Sequence, residues 1–270
     1  MSRKGGYMET DAALETLLDE LDEADAVIVG AGNELTRAAG ISVDASNDGT
    51  RLTRKPGMFW KVYADQLEQV EKAGTPQVFS DLAKLVEGTT FHGLTFAQDG
   101  LLARALGEEH VTQMRGDWAY LQCTERCRDE LYPAANYIDQ LEMDASGSAV
   151  DVKSVPVCPQ CGSPMQPWIY SFTFLEGARY QDEFAKWNAF LQKHINSRLL
   201  FLEVGLGTEN PEFIKEPFWQ MVQQHPDCAY VALEPERAFA PTEIEDKATL
   251  VNADLAQTLK RACALKEQRA

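Results

Sequence analysis

Four cysteines in the middle of the chain have the spacing of a metal site. Cys123 and Cys127 have three residues between them, and a later pair, Cys158 and Cys161, has two. A short spacing places two thiolates on one side of a tight turn, and two such pairs can complete one tetrahedral Zn²⁺ site. The alternatives are disulfides or thiols without a ligand. Because disulfides are rare in reducing compartments, we predict a structural zinc ion held by all four sulfurs.

A glycine turn near the start of the chain is the second candidate for chemistry. The apolar run at 27–29 predicts a strand, Gly30-Ala31-Gly32 ends it, and residues 33–39 predict a short helix. Glycines let a backbone approach a ligand closely, and the free N–H groups of a helix start attract an anion such as a pyrophosphate. Leu35 stands where the dinucleotide fingerprint has its third glycine, so an ordinary turn between strand and helix is the alternative.

A second glycine turn, Gly205-Leu206-Gly207-Thr208, follows a strongly apolar run at 199–204. Further strands are predicted at 89–95, 111–115, 228–233 and 249–252, with helical patterns between most of them. His92 lies in the first of these and is predicted to be structural. Residues 42–57, rich in Ser, Asn, Asp and Gly, predict a loop. Alternating strands and helices predict an α/β fold, in which a parallel sheet has helices on both faces.

The cysteine-rich segment interrupts this alternation. We therefore expect the α/β domain to comprise residues 1–118 and 170–270, and an inserted zinc-ribbon module to span 119–169. The four cysteines and several prolines of the segment, with few helical periods, are typical of a small irregular module that gains its fold from a metal.

Composition and charge limit the partners. The chain has 270 residues and a formal net charge of −17. Nucleic acids and anionic membranes require a cationic face, so we expect neither as a partner. Phosphate ligands are not excluded, because backbone amides can hold them without net positive charge. No apolar run approaches a membrane span, and the basic residues at the amino terminus are not followed by an apolar segment, so we expect a cytoplasmic protein.

These features together resemble the sirtuins. That family has a Rossmann-type NAD domain opened by a Gly-Ala-Gly turn, an inserted four-cysteine zinc module and a late second glycine turn. The spacing from Gly30 to Gly40 is most similar to the macrodomain-linked bacterial class of sirtuins (class M), as are 201–207 (FLEVGLG) and 211–219 (PEFIKEPFW). Members of that class are ADP-ribosyltransferases that act on a lipoyl-carrier protein, so the resemblance implies this activity, or a deacylase activity, with such a protein as partner.

Three positions depart from the family pattern. Counted back from Gly116, the asparagine of the family's Thr-Asn-x-Asp motif is Phe96 and its aspartate is Gln98. If Thr89 and Thr90 are taken as the start of the motif instead, the position of its asparagine is occupied by Phe91. The residue before Gly116 is Arg115, where deacetylases have histidine and class M has glutamine. Arginine stays charged and cannot act as a base.

The resemblance also implies a set of site residues. For NAD or ADP-ribose they are Gly30, Ala31, Gly32, Thr36, Gly205, Gly207, Thr208, Glu234, Asp254 and Leu255. Arg115, Asp117 or Gln98 would have to act as the general acid or base of the reaction. The negative charge of Glu34 would repel a phosphate beside it. An NAD-consuming enzyme is the leading hypothesis. The alternatives are a catalytically inactive relative that senses NAD or ADP-ribose, and a scaffold in which the glycine turns only pack strands against helices.

Overall fold

A six-stranded parallel sheet forms the centre of the protein. A computed structural model describes residues 10–43, 49–208 and 211–269. The strands are β1 Ala26–Ala31, β2 Phe91–Thr95, β3 Val111–Gln113, β7 Leu199–Val204, β8 Ala229–Glu234 and β9 Ala248–Asn252. Their order in the sheet is β3-β2-β1-β7-β8-β9, and all neighbours are parallel. The predicted α/β fold is confirmed.

The strand order reverses beside β1. From β1 the chain adds β2 and β3 on one side, and later returns to place β7, β8 and β9 on the other. Gly30 therefore pairs with Leu94 of β2 and with Glu203 of β7. In open parallel sheets the crevice outside the carboxyl ends of the strands at such a switch point is the usual ligand site. Both glycine turns follow the two strands that form this point.

Helices cover both faces of the sheet. They are α1 Thr10–Glu23, α2 Asn33–Ala38, α3 Gly49–Arg54, α4 Pro56–Ala73, α5 Gln77–Val86, α6 Leu101–Leu106, α7 Ala135–Ile138, α8 Ala178–His194, α9 Lys215–Gln224 and α10 Leu255–Arg269. Side chains alternate between the faces: Val27 and Val29 join a core with α1, α5 and α10, whereas Ala26 and Ile28 join one with α9. None of the described helices combines the length and the apolar composition needed to cross a membrane.

A small antiparallel sheet carries the cysteines. It consists of β4 Gly116–Cys123, β5 Tyr132–Pro133 and β6 Met165–Ile169, in the order β5-β4-β6. Trp118 and Leu121 of β4 and Met165 of β6 join the core that also contains α1, so the small sheet is packed against the rest of the protein. The second sheet begins at Gly116, just before the predicted module boundary of 119.

The expected loop at 42–57 is wrong in part. Helix α3 spans Gly49–Arg54 and α4 begins at Pro56, while residues 44–48 lie outside the described ranges. Leu52 packs against the main core, which stabilises a helix that local composition does not favour. Gly57 allows close approach to the module, because a Cβ there would lie 2.4 Å from the carbonyl oxygen of Val150.

Candidate functional site

The four cysteines converge as predicted. Their sulfur atoms all lie within 4.8 Å of one another, and Cys123–Cys161 and Cys127–Cys158 are each 3.6 Å apart. None of them forms a disulfide. Tetrahedral zinc with Zn–S bonds of about 2.3 Å separates its sulfurs by about 3.8 Å. The sulfur positions therefore fit one zinc ion and contradict the disulfide alternative.

The turns that bear the cysteines are shaped by backbone conformation. Arg126 has φ +49° and Gly162 has φ +75°, both in the left-handed region. The N–H of Cys158 donates to the carbonyl of Ser163, at 2.8 Å, which closes the second turn. Hydrogen bonds from the Ser163 side chain and backbone lower the pKa of Cys161 to about 6, which favours the thiolate that a metal requires.

The two glycine turns lie side by side at the switch point. A Cβ on Gly32 would lie 2.8 Å from the Cα of Leu206 and 2.9 Å from the carbonyl oxygen of Gly205. The N–H of Glu34, in the first turn of α2, donates to that carbonyl at 3.1 Å. Gly205 and Gly207 have φ +62° and +68°. Because Cβ atoms do not tolerate such distances, only glycine permits this contact between the turns.

The remaining predicted cofactor residues surround these turns and differ in how far they are exposed to solvent. Ala31 ends β1 and is buried, and Thr208 is exposed. A Cβ on Gly205 would lie 2.8 Å from Leu255, which brings the start of α10 against the second turn. Asp254 is exposed and accepts a hydrogen bond from the N–H of Gln257, at 2.8 Å, so it caps α10.

Thr36 is fully buried and bonds to a residue that the sequence analysis missed. Its hydroxyl donates to Asp99, whose other carboxylate oxygen accepts from the N–H of Leu101 at 2.8 Å. Burial raises the pKa of Asp99. The signal in the sequence is Asp99 followed by Gly100 in the loop after β2, one residue beyond Gln98. Glu34, the expected source of repulsion, forms an ion pair with Arg37.

Phe96 fills the space beside the first glycine turn. It is 3% exposed, and its Cζ would lie 2.8 Å from a Cβ on Gly32. The ring belongs to the same apolar cluster as Leu206 and Ile214. Ile214 in turn lies 2.8 Å from where a Cβ on Gly30 would be. Phe96 therefore packs beside the first glycine turn and shares an apolar cluster with Leu206 of the second.

Gln98 and Arg115 lie close together, and the Gln98 side chain contacts the backbone of Arg115. The Gln98 amide donates to the carbonyl of Arg115, at 2.9 Å. The Arg115 guanidinium lies over the rings of Tyr170 and Phe213, 5.2 and 5.7 Å from their centroids. Its Nε is buried and has no hydrogen-bond partner among the described residues. The guanidinium is thus fixed by aromatic stacking, with hydrogen-bonding capacity left over.

Asp117 turns away from Arg115. Its carboxylate oxygens accept from the N–H of Ala119 at 2.7 Å and from the Gln113 amide at 2.9 Å. Burial raises its pKa above the usual aspartate range. Gly100 lies against it, since a Cβ there would be 3.5 Å from one carboxylate oxygen. The raised pKa suits a proton acceptor, but both oxygens already accept hydrogen bonds.

Glu234 belongs to a buried charged cluster beneath the second glycine turn. Both of its carboxylate oxygens accept from the N–H of Gly207, at 3.0 and 3.1 Å. Lys215 lies 3.8 Å from Glu234 and 2.7 Å from Glu203, and Tyr230 donates its hydroxyl to Glu203. Burial and the neighbouring Glu203 raise the pKa of Glu234 to about 9. Glu203 and Lys215 were not among the predicted site residues.

His92 is structural, as predicted. It is buried, with Nε2 3.0 Å from the hydroxyl of Thr112 and its ring beside Trp187 and Phe190 of α8. Burial lowers the pKa of His92 to about 4. The neutral ring is therefore a packing residue on the face of β2 that α8 covers.

Similarity to known proteins points to one fold. No family model matches the chain. A Staphylococcus aureus relative named "Protein ADP-ribosyltransferase" is 23% identical over 92% of this chain and 86% of its own length. A Fusarium oxysporum relative named "Probable bifunctional ADP-ribose hydrolase/ADP-ribosyltransferase" is 26% identical over 88% of this chain. The chain spans about half of that fungal protein, 46% of its length.

Solved sirtuin structures superpose on nearly the whole chain. A Sir2 homologue in complex with NAD has a TM-score of 0.71 at 17% identity, covering 99% of this chain and 97% of its own. A Sir2 structure with a p53 peptide and NAD⁺ has a TM-score of 0.70 at 21% identity, covering 94% and 99%. The sheet order, the adjoining glycine turns and the cysteine cluster agree with this likeness. The protein has the fold of the solved sirtuin structures.

Proposed function

We propose that the protein binds NAD at the switch point and transfers ADP-ribose from it to an acceptor on another protein. The observation that carries this proposal is the contact between Gly32 and the turn at Gly205 and Leu206, which makes one continuous backbone surface at the carboxyl ends of β1 and β7. The S. aureus relative named for this activity aligns over 92% of the chain. Sirtuins with NAD bound share the fold.

The glycine turns are suited to a dinucleotide. In this proposal Gly30, Ala31 and Gly32 lie under the pyrophosphate, at the start of α2, where the switch point of the sheet places a dinucleotide. The second turn, with Gly205, Gly207 and Thr208, lies beside the ribose of the adenosine. Asp254 and Leu255 lie at the adenine end, and the buried Glu234 supports this end from behind Gly207. Thr36 contributes from the interior, by holding Asp99 rather than by contacting a phosphate.

The part of the site where the bond to nicotinamide would break is called the reaction end. It lies on the β2 and β3 side of the first turn. NAD, when bound, supplies the ADP-ribosyl group and a neutral nicotinamide leaving group. Arg115 is proposed to bind and orient a reactant through guanidinium hydrogen bonds, since it cannot accept a proton. Gln98 fixes the Arg115 backbone. Asp117 is proposed to position the loop at Gly100, because its carboxylate lies against Gly100 and is itself held by hydrogen bonds from Gln113 and Ala119.

Zinc is proposed to be structural. Four sulfur ligands leave no open coordination position, which is the arrangement of structural rather than catalytic zinc. Zinc would hold the turn after β4 against the turn before β6, and so hold the segment after β6 that reaches Arg115.

The acceptor is proposed to be a protein, such as a lipoyl-carrier protein, in the cytoplasm. Tyr170 and Phe172, on the segment that follows β6, are exposed, and Tyr170 contacts the Arg115 guanidinium. Exposed aromatic side chains next to a reaction centre favour a macromolecular partner. The solved sirtuins with bound peptides support the same class of partner.

Two measurements test the proposal: stabilisation of the zinc-loaded protein by NAD, and release of nicotinamide. Gly207→Ala is the test variant, since Gly207 has φ +68° in the second turn. Gly147→Ala is its matched control, because Gly147 also has φ +68° but lies in the module with no atom within 4 Å of a Cβ. Both should lose about 1 kcal/mol of stability from backbone strain.

Only Gly207→Ala should weaken NAD binding, by roughly tenfold for a displaced backbone contact. Equal NAD affinities in the two variants would contradict the cofactor site. NAD binding without any nicotinamide release from NAD and acceptor would contradict the transferase and favour a nucleotide sensor.

A further inference from the structure

The peptide groups of one residue in the second glycine turn are held from both sides by two buried side chains, the carboxyl group of Glu234 and the ammonium of Lys215. Glu234 accepts the Gly207 N–H through both oxygens, at 3.0 and 3.1 Å. Lys215 donates from its ammonium to the Gly207 carbonyl, at 2.7 Å. Gly207 has φ +68°, a conformation with no side chain of its own to fix it. The backbone donor and acceptor of Gly207 are therefore both used on the interior side of the turn.

The side chains that hold Gly207 are themselves fixed. Lys215 is 6% exposed and lies 2.7 Å from Glu203, within ion-pair range. Glu203 is fully buried and accepts a hydrogen bond from the hydroxyl of Tyr230, which is also fully buried. The cluster thus joins β7, β8 and the first residue of α9, the elements on either side of the turn.

A purely stabilising role explains this cluster poorly. It places two carboxyl groups and one ammonium in the interior, where desolvation opposes their charges and apolar residues of similar volume are often at least as stable. Buried ionic groups are retained in some proteins because they fix a single geometry. Here the geometry that they fix is that of the Gly207 peptide.

On the proposed function, we infer that Lys215 and Glu234 are positioning residues for the adenosine half of the nucleotide, and that they act through Gly207 without contacting the ligand. Lys215 sets the direction of the Gly207 carbonyl, and Glu234 sets that of its N–H. Glu203 and Tyr230 keep Lys215 in place. The cluster hydrogen-bonds Gly207 of the second turn and reaches the first turn through the strand pairing of Glu203 with Gly30, so we expect the adenosine half to depend on it more than the nicotinamide half.

Binding of two half-ligands separates a positioning role from a structural one. ADP represents the adenosine half, and nicotinamide mononucleotide represents the other half. The test variants, in the zinc-loaded full chain, are Glu234→Ala and the double variant Lys215→Met with Glu203→Gln, which removes the cation and one carboxyl group together. Lys247→Met is the control, since Lys247 also donates to backbone carbonyls, those of Val222 and His225, but at the far end of α9.

We expect both test variants to lose roughly tenfold or more in affinity for ADP, as for one lost hydrogen bond to a charged group. Nicotinamide mononucleotide affinity should stay within about twofold, and Lys247→Met should change neither affinity. Glu234→Gln retains an oxygen for the Gly207 N–H and should restore most of the ADP affinity lost in Glu234→Ala.

Equal losses for the two half-ligands, or unchanged ADP affinity in the folded variants, would overturn the inference and leave a structural cluster. If the unaltered protein binds neither ADP nor NAD, the proposed cofactor site fails first and this inference fails with it. If it binds NAD but releases no nicotinamide, the transferase proposal fails alone, and the ADP measurement still decides the role of the cluster.

Discussion

The hydroxyl of Thr36 donates a hydrogen bond to the buried carboxylate of Asp99. This contact joins α2, which follows the first glycine turn, to the loop after β2. The second oxygen of Asp99 accepts from the N–H of Leu101 and so begins α6. The segments that follow the first glycine turn and β2 are therefore tied by one buried side chain, and the position of either depends on the other.

Replacement of Thr36 by valine should destabilise the protein. Valine has nearly the same shape but leaves one Asp99 oxygen buried without a partner, which costs about 1–3 kcal/mol in the free energy of unfolding. Thr36→Ser keeps the hydroxyl and serves as the matched control. Urea unfolding of the three proteins gives the comparison, and a valine variant as stable as the serine variant would contradict the importance of this contact.

Stability should depend on pH through Glu234. The groups that face its carboxyl are Glu203, Lys215, Tyr230 and the N–H of Gly207. Its pKa is raised from 4.5 to about 9 in the folded protein, so the folded state holds a proton that the unfolded state releases. The associated stability is present below the ordinary pKa and is lost as pH rises toward about 9.

Unfolding of the unaltered protein and of Glu234→Gln at a series of pH values isolates this effect. Glutamine cannot ionise, so the unaltered protein should lose stability relative to the variant as the pH rises from about 4.5 to about 9, with a limiting slope of about 1.4 kcal/mol per pH unit. Parallel curves for the two proteins would show that Glu234 titrates normally.

Removal of zinc should unfold the module between Tyr120 and Trp168. Without the ion, the cluster of thiols around Cys158 has no bond to hold the two turns together, and small metal modules depend on such bonds for their fold. Zinc content, near-UV circular dichroism and limited proteolysis before and after chelation measure the effect. Cys228→Ser is the control, since Cys228 lies outside the cluster, and a normal melting profile after complete zinc loss would contradict the assignment.

The sequence predicts the sheet well because its strands are buried on both faces. The run at 199–204 coincides with β7, and the two glycine turns fall at the ends of β1 and β7 as predicted. Uninterrupted apolar runs and glycine breaks are local signals, so no partner needs to be known. Helix α3 was missed because it depends on Leu52 packing against a distant core, which local composition does not encode.

The site was only partly predictable because its polar contacts join distant segments. The cysteine spacing was sufficient to predict the cluster. Glu203 carries a signal that could have been used, since a carboxylate in an otherwise apolar strand requires a buried partner. Its partner Lys215 follows only from the way in which α9 packs against β7. Asp99 was missed because its contact with Thr36 joins segments that are 63 residues apart in the chain.

Asp117 offers a test of whether the reaction end contains a proton acceptor. Asp117→Asn should keep the fold, because asparagine can still accept from the N–H of Ala119. It can also donate to the Gln113 oxygen, which is buried without a hydrogen-bond partner among the described residues. Asp117→Ala should lower the free energy of unfolding by about 1–3 kcal/mol, since it leaves the Gln113 amide unpaired.

If Asp117 only positions the loop at Gly100, nicotinamide release should be nearly unchanged in Asp117→Asn and reduced in Asp117→Ala. A folded Asp117→Asn protein that binds NAD but releases nicotinamide at least about a hundredfold more slowly would instead assign direct acid–base work to this carboxylate.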